Sequence, residues 1–189
     1  MTPAEKKQYR IYSKLLEIGQ NINETMGLPD LYDTATDFAT KELGFAKRLI
    51  FEHDNANGWF TITAHAAYGD PNQQGVLQII NLLLSGEVIE YLRTQNKPIV
   101  HTTQQPDTKV SALCKSLFLQ EAYFELAGGD VDIPFSVIVV GNEKQSGHTP
   151  IGQDEMVMLG LKNFIAHFSN AANNIIFYKL GYRLYKKYK

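Results

Sequence analysis

The side chains able to do acid–base, nucleophilic or metal chemistry are few and scattered along the 189 residues. Five histidines, His53, His65, His101, His148 and His167, and a single cysteine, Cys114, are spread over more than 100 positions. No His-x-x-x-His or Cys-x-x-Cys spacing occurs, so metal and haem ligation have no local signal. One thiol allows neither an internal disulfide nor a two-thiol redox cycle. The nucleophile elbow Gly-x-Ser-x-Gly, the Walker loop and Gly-x-Gly-x-x-Gly are all absent from the sequence. Asp154 and Glu155 in "TPIGQDEMVML" (149–159) stand just ahead of a helical apolar period. Carboxylates there meet unsatisfied N–H groups, so they read as helix initiation rather than acid–base catalysis.

What remains is a set of candidates for a binding recess. Glu125 sits in the middle of the apolar run "AYFELAG" (122–128), where a charge must be solvated, paired or turned to a ligand. Tyr123 shares its face by strand alternation. Thr63 and His65 fall on the more polar face of "WFTITAHAAY" (59–68), and His101 ends the short run "PIVH" (98–101). With Cys114 these make six candidate ligand-binding residues. An enzyme would use Glu125, His65 or His101 as acid or base.

These residues need elements to position them. Apolar residues are 44 % and charged residues 20 %, with a net charge of -2, the balance of one globular domain without the basic excess of a nucleic-acid binder. The polar start and short apolar runs predict a cytoplasmic chain without membrane insertion. Residues 4–23 read as a helix with Ile11, Leu15, Ile18 and Ile22 on one stripe, followed by a second from about Leu28 to Leu43 with Gly44 as its stop. The period then changes to two: strands at 46–54 and 59–68 flank the turn cluster "NANG". Helical stretches at 76–84 and 86–95, a strand at 98–101 and a short helix at 110–121 follow. Strands at 122–128 and 135–142 precede a helix from about Gly152 or Gln153 to the end. Short turns between neighbouring strands imply an antiparallel sheet and an α+β class.

This order resembles the GAF family of small-molecule sensory domains over about residues 13–175. "IPFSVIVVGN" (133–142) is similar to that family's penultimate unit, and "TPIGQDEMVMLGLKNFIAHFSNAANN" (149–174) to its closing helix. "GEVIEYLRTQNKPIVH" (86–101) matches its helix–turn–strand, and "LPDLYDTATDFATKELGFAKRLIFEHD" (28–54) its first helix and strand. The resemblance implies a GAF-like fold. A central antiparallel sheet of five or six strands would carry the N- and C-terminal helices on one face, with short helices and loops forming a pocket on the other. Departures narrow the ligand. Asn142 is followed by Glu143 rather than Lys, and Pro150 stands where cyclic-nucleotide binders have Phe, which speaks against a cyclic nucleotide. Cys114 lies roughly where bilin-binding relatives anchor their chromophore, but Lys115 replaces the usual following His, which speaks against a bilin.

The expected function is a non-catalytic sensory domain that binds an unknown small molecule. Residues 1–26 form an N-terminal dimerisation helix, 27–175 the sensory domain, and 153–189 a long helix leading to an effector domain. Leu161, Ile165, Phe168, Ala172 and Ile175 make one stripe of that helix, assigned to the sheet. Ile176, Leu180 and Leu184 make a second, assigned with Ile11, Leu15, Ile18 and Ile22 to a homodimer. The alternatives are a dimerisation scaffold without ligand and, third, a small enzyme. Five basic residues in "KLGYRLYKKYK" (179–189) are read as a solvated helix end rather than a nucleic-acid contact.

Overall fold

A computed structural model describes residues 1–22, 27–54, 59–67, 87–95, 97–129, 134–143 and 147–187. Helix α1 (Pro3–Ile22) is followed by α2 (Leu28–Asp37), which widens into a π-turn at Phe38–Glu42. Strands β1 (Lys47–Asp54) and β2 (Trp59–Ala67) come next, then α3 (Glu87–Gln95), β3 (Ile99–His101) and α4 (Ser111–Ser116). Strands β4 (Glu121–Gly129) and β5 (Pro134–Asn142) precede the long helix α5 (Glu155–Lys187). The expected helix at 76–84 lies outside the described residues.

Among the described residues the five strands form one sheet in the order β2-β1-β5-β4-β3, with every pair antiparallel. Strand alternation divides the apolar side chains into two cores. Ile50, Tyr123, Ala127, Ile138 and Val140 face the layer of α1, α2 and α5. Leu49, Phe51, Ala122, Phe124, Val137 and Val139 face α3 and α4. Both faces of β4 and β5 are therefore apolar, as a sheet covered on two sides requires.

The helices start and stop for local reasons. Thr2 and Glu5 bond reciprocally, Oγ1 to the Glu5 N–H at 3.2 Å and the Thr2 N–H to Oε2 at 2.7 Å, a capping box for α1. At α5 the cap is Asp154, whose Oδ1 accepts the Met156 and Val157 N–H groups at 3.1 Å. The stretch 28–43, expected as one helix, changes pitch at Phe38. The Leu43 N–H reaches back five residues to the Phe38 carbonyl at 3.0 Å before Gly44, at φ +80°, ends the turn. The short helix expected over 110–121 stops at Ser116.

Helices α1 and α5 lie side by side and run in the same direction. Lys7 pairs with Asp154 at 3.0 Å, and four residues on, Ile11 meets α5 at Gly160. A Cβ on Gly160 would lie 3.0 Å from Ile11 Cγ2, so glycine sets how closely the helices approach. Ile11, Leu15 and Ile18 are all buried in the protomer's own core. The stripe assigned to a partner is thus used, as far as Ile18, inside the chain. It packs with Leu161, Phe164, Ile165 and Phe168, three of which belong to the sheet-facing stripe read from the sequence.

Candidate functional site

The end of the sheet where β5 finishes is built by one asparagine. Asn142 Oδ1 accepts the Ala46 N–H at 2.9 Å, while Nδ2 donates to Glu121 Oε1 at 2.6 Å and to the Thr149 carbonyl at 2.7 Å. Glu121 Oε1 also accepts the Ile151 N–H at 3.0 Å. Four segments are thereby joined at one side chain, which explains the Gly-Asn ending of "IPFSVIVVGN". The preceding Gly141 is required because a Cβ there would lie 2.8 Å from the Glu121 carbonyl oxygen. Of the polar stretch after β5, the described residues 147–153 form bends and turns tied to this clamp at Thr149 and Ile151, with Asp154 capping the next helix. Sequence reasoning missed Glu121, which it placed at the end of the short helix 110–121, whereas Glu121 opens β4.

The four candidate ligand residues whose side chains are described fall on opposite faces of the sheet, Tyr123 and Glu125 on one and His101 and Cys114 on the other. Thr63 and His65 lie on β2, and their side chains are outside the described residues. His101 and Cys114 belong to the α3/α4 side of the sheet. His101 Nδ1 lies 3.1 Å from the Asp107 N–H and 3.2 Å from the Asp107 carbonyl oxygen, so this ring nitrogen is tied to the Asp107 backbone. Asp107 organises this corner. Its Oδ2 accepts the Tyr91 hydroxyl at 2.6 Å, its Oδ1 the Lys109 N–H at 2.9 Å, and its carbonyl the Ser111 hydroxyl at 2.7 Å. The signal for Asp107 was present in "PDTKVS", an Asp placed ahead of a short helix.

Cys114 is buried among Val110, Leu113, Leu117 and Phe124. Burial, reinforced by the Asp107 charge, pushes its thiol up to about 12. Only about 10⁻⁵ of it is thiolate at neutral pH, the form that attacks an electrophile.

Tyr123 and Glu125 share a face, and that face is covered by the terminal helices. Tyr123 is part of the core under α1, α2 and α5, and its hydroxyl donates to Glu125 Oε2. Burial raises the Glu125 carboxyl above its ordinary value, against the opposing effects of the Tyr123 hydrogen bond and the Lys162 charge on α5. Burial, then the Glu125 hydrogen bond and charge, also pushes the Tyr123 hydroxyl up. His101, whose register partner is Ala122, belongs to the opposite face. Glu125 and His101 therefore share no cleft as acid and base.

The described residues line recesses at two places on the sheet's rim. One, of about 270 Å³, is polar and lies between Thr102–Gln105 and Gly152–Gln153, with Glu121 in its wall. The other, of about 170 Å³, is lined by Leu92, Lys97, Pro98, Glu125 and Leu126. No cluster of three His, Cys, Asp or Glu able to hold a metal occurs among the described residues, and no described helix is long and apolar enough to cross a membrane.

This architecture is that of GAF domains. Residues 122 to 287 of a methyl-accepting chemotaxis protein superpose with a TM-score of 0.63 at 17 % identity, covering 86 % of this chain and 98 % of that one. The phycocyanobilin-bound GAF domain from a cyanobacterial phytochrome gives a TM-score of 0.65 at 12 % identity, over 87 % of this chain and 94 % of that one. The GAF domain from Acinetobacter phosphoenolpyruvate-protein phosphotransferase gives 0.59 at 16 % identity, over 90 % and 93 %. No family model and no curated protein matches the chain. At these identities the likeness establishes the GAF fold; the ligand is a separate question.

Proposed function

We propose that the chain is a non-catalytic sensory module. It binds a small molecule on the α3/α4 side of the sheet and passes the signal through α1 and α5, as a homodimer, to a linked effector. One observation carries the transmission half of this reading. The Lys7–Asp154 contact, 147 residues apart in sequence, sets the register of the two helices, so α1 ends level with about Ser169. Helix α5 continues to Lys187 with Phe177, Tyr178, Tyr182 and Tyr185 exposed. An isolated helical extension of this length is marginal in water, and the exposed Phe177 and Tyr178 on it favour burial against a second copy. The fold shared with residues 122 to 287 of a methyl-accepting chemotaxis protein supports the same reading.

The surface that α1 offers a partner differs from the stripe read in the sequence, because Ile11, Leu15 and Ile18 are core. Tyr9, Tyr12 and Leu16, spaced three and four apart, are exposed instead. Truncating α1 would therefore unpack the protomer, and point substitutions are the cleaner test. Sedimentation velocity of the intact chain should show a dimer, and Leu16→Glu or Tyr178→Glu should shift it to monomer. A wild-type monomer at every concentration would overturn the dimer. Native mass spectrometry should show a displaceable small molecule of fixed mass on the purified chain.

A pure dimerisation scaffold is the second reading, favoured by Phe51, Phe124, Leu113 and Leu117 filling the space between sheet and α4. Persistent absence of any bound mass, with the dimer intact, would select it.

A further inference from the structure

The 170 Å³ recess lies at the sheet's edge, beside the α3/α4-side core to which Leu92 and Leu126 belong. Strand β3 begins at Ile99, opposite Phe124, so from Glu125 onward the outer edge of β4 has no strand partner among the described residues. Pro98, next in register, lacks the N–H that would extend the ladder. Glu125 and Leu126 are consecutive on β4 and their side chains belong to opposite faces, yet both line the recess. It therefore wraps around the free edge rather than lying on either face.

Its walls combine three chemistries. Lys97 brings an exposed ammonium, a compact charge suited to a carboxylate. Glu125 brings a half-buried carboxyl whose Oε2 accepts from Tyr123, leaving acceptor capacity at Oε1. Leu92, Pro98 and Leu126 supply an apolar wall. The volume is that of about six waters at ~30 Å³ each, below the ~300 Å³ at which drug-sized pockets begin. A tetrapyrrole or a nucleotide is too large for it.

We propose that this edge recess binds a free α-amino acid with a small aliphatic side chain. Its carboxylate pairs with Lys97, its ammonium with Glu125, and its side chain packs on Leu92, Pro98 and Leu126. Burial raises the Glu125 carboxyl, and a ligand cation beside it would act in the opposite direction, as the Lys162 charge does.

The test titrates the full chain with L-leucine, with isocaproate (the same skeleton without the amine) and with isoamylamine (without the carboxylate), by calorimetry and amide NMR. L-leucine should shift the amides of Leu92, Lys97, Glu125 and Leu126, and each control should bind at least about tenfold weaker. Lys97→Met and Glu125→Gln should each weaken L-leucine about tenfold, and Glu125→Gln should abolish the preference for L-leucine over isocaproate. Should Glu125→Gln fail to fold by circular dichroism, Lys97→Met and the amide map decide alone. Equal affinity for L-leucine and isocaproate in the wild type, or amide shifts confined to other residues, would overturn the proposal. A different small molecule retained on the α3/α4 side would leave the sensory reading standing while the edge site fails.

Discussion

Buried Cys114 and half-buried Glu125 behave differently because their neighbours differ. Cys114 has burial and the Asp107 charge acting in the same direction, so its thiol at about 12 is inert in the folded chain. Iodoacetamide at neutral pH should leave it unmodified in the native protein and label it fully in denaturant. Rapid native labelling, or a covalent bilin adduct, would show that the α4 side opens. Glu125 also rises through burial, but the Tyr123 hydroxyl and Lys162 oppose the shift. The folded chain therefore holds the Glu125 proton more tightly than the unfolded chain does. Stability from that proton is fully present below the ordinary 4.5 and is lost as pH rises through the folded-state value. Glu125→Gln should flatten the dependence of Tm on pH in this window, with a Tm at neutral pH equal to or above wild type; an unchanged slope would assign it to other groups. Asp154 has the opposite sign. Burial would raise its carboxyl, but the Lys7 and backbone hydrogen bonds together hold it below its ordinary value. Its contribution is lost only as pH falls through that lowered value.

Among the elements, the β5 end and the α1–α5 pair are fixed by positions where no side chain fits or where one side chain serves several segments. Gly141→Ala would push a Cβ against the Glu121 carbonyl, which is backbone and cannot swing away. The expected cost is about 3 kcal/mol by denaturant titration, at the upper end for overpacking. Asn142→Ala would leave the buried Ala46 N–H without its acceptor and free the Thr149 carbonyl and Glu121 carboxylate. A loss of about 2–3 kcal/mol is expected, since unsatisfied buried groups cost ~1–3 kcal/mol each and the exposed side can recruit water. A loss below ~0.5 kcal/mol for either variant would mean that the clamp is dispensable.

At the level of the whole molecule, α5 divides into two parts. Val157, Leu161, Phe164, Ile165, Phe168, Ala171 and Ala172 are buried against the sheet and α1. Beyond them Phe177, Tyr178, Tyr182 and Tyr185 are exposed. Amides before about Ala172 should exchange only through global opening, and those from Phe177 to Lys187 much faster in a dilute protomer. Protection of the second part should grow with protein concentration if it is a dimer seam. Uniform, concentration-independent protection along α5 would deny that the helix is divided.

Strand alternation, helix caps and the apolar period of α5 are local patterns, so most elements and the antiparallel pairing were legible in the sequence. The GAF fold was legible only as a resemblance carried by the motifs at 28–54, 86–101, 133–142 and 149–174. Local chemistry also made Asp154 a cap. Which layer covers a face is not local. Alternation put Tyr123 and Glu125 on one side of β4, but only the packed chain decided that this side lies under α5. Periodicity gave α1 an apolar stripe without saying whether Ile11, Leu15 and Ile18 would meet a second copy or, as the structure shows, Gly160, Phe164 and Phe168 of the same chain. The recess of Lys97 and Glu125 is likewise invisible in sequence, since it exists only because β3 starts one residue too late to cover the edge of β4.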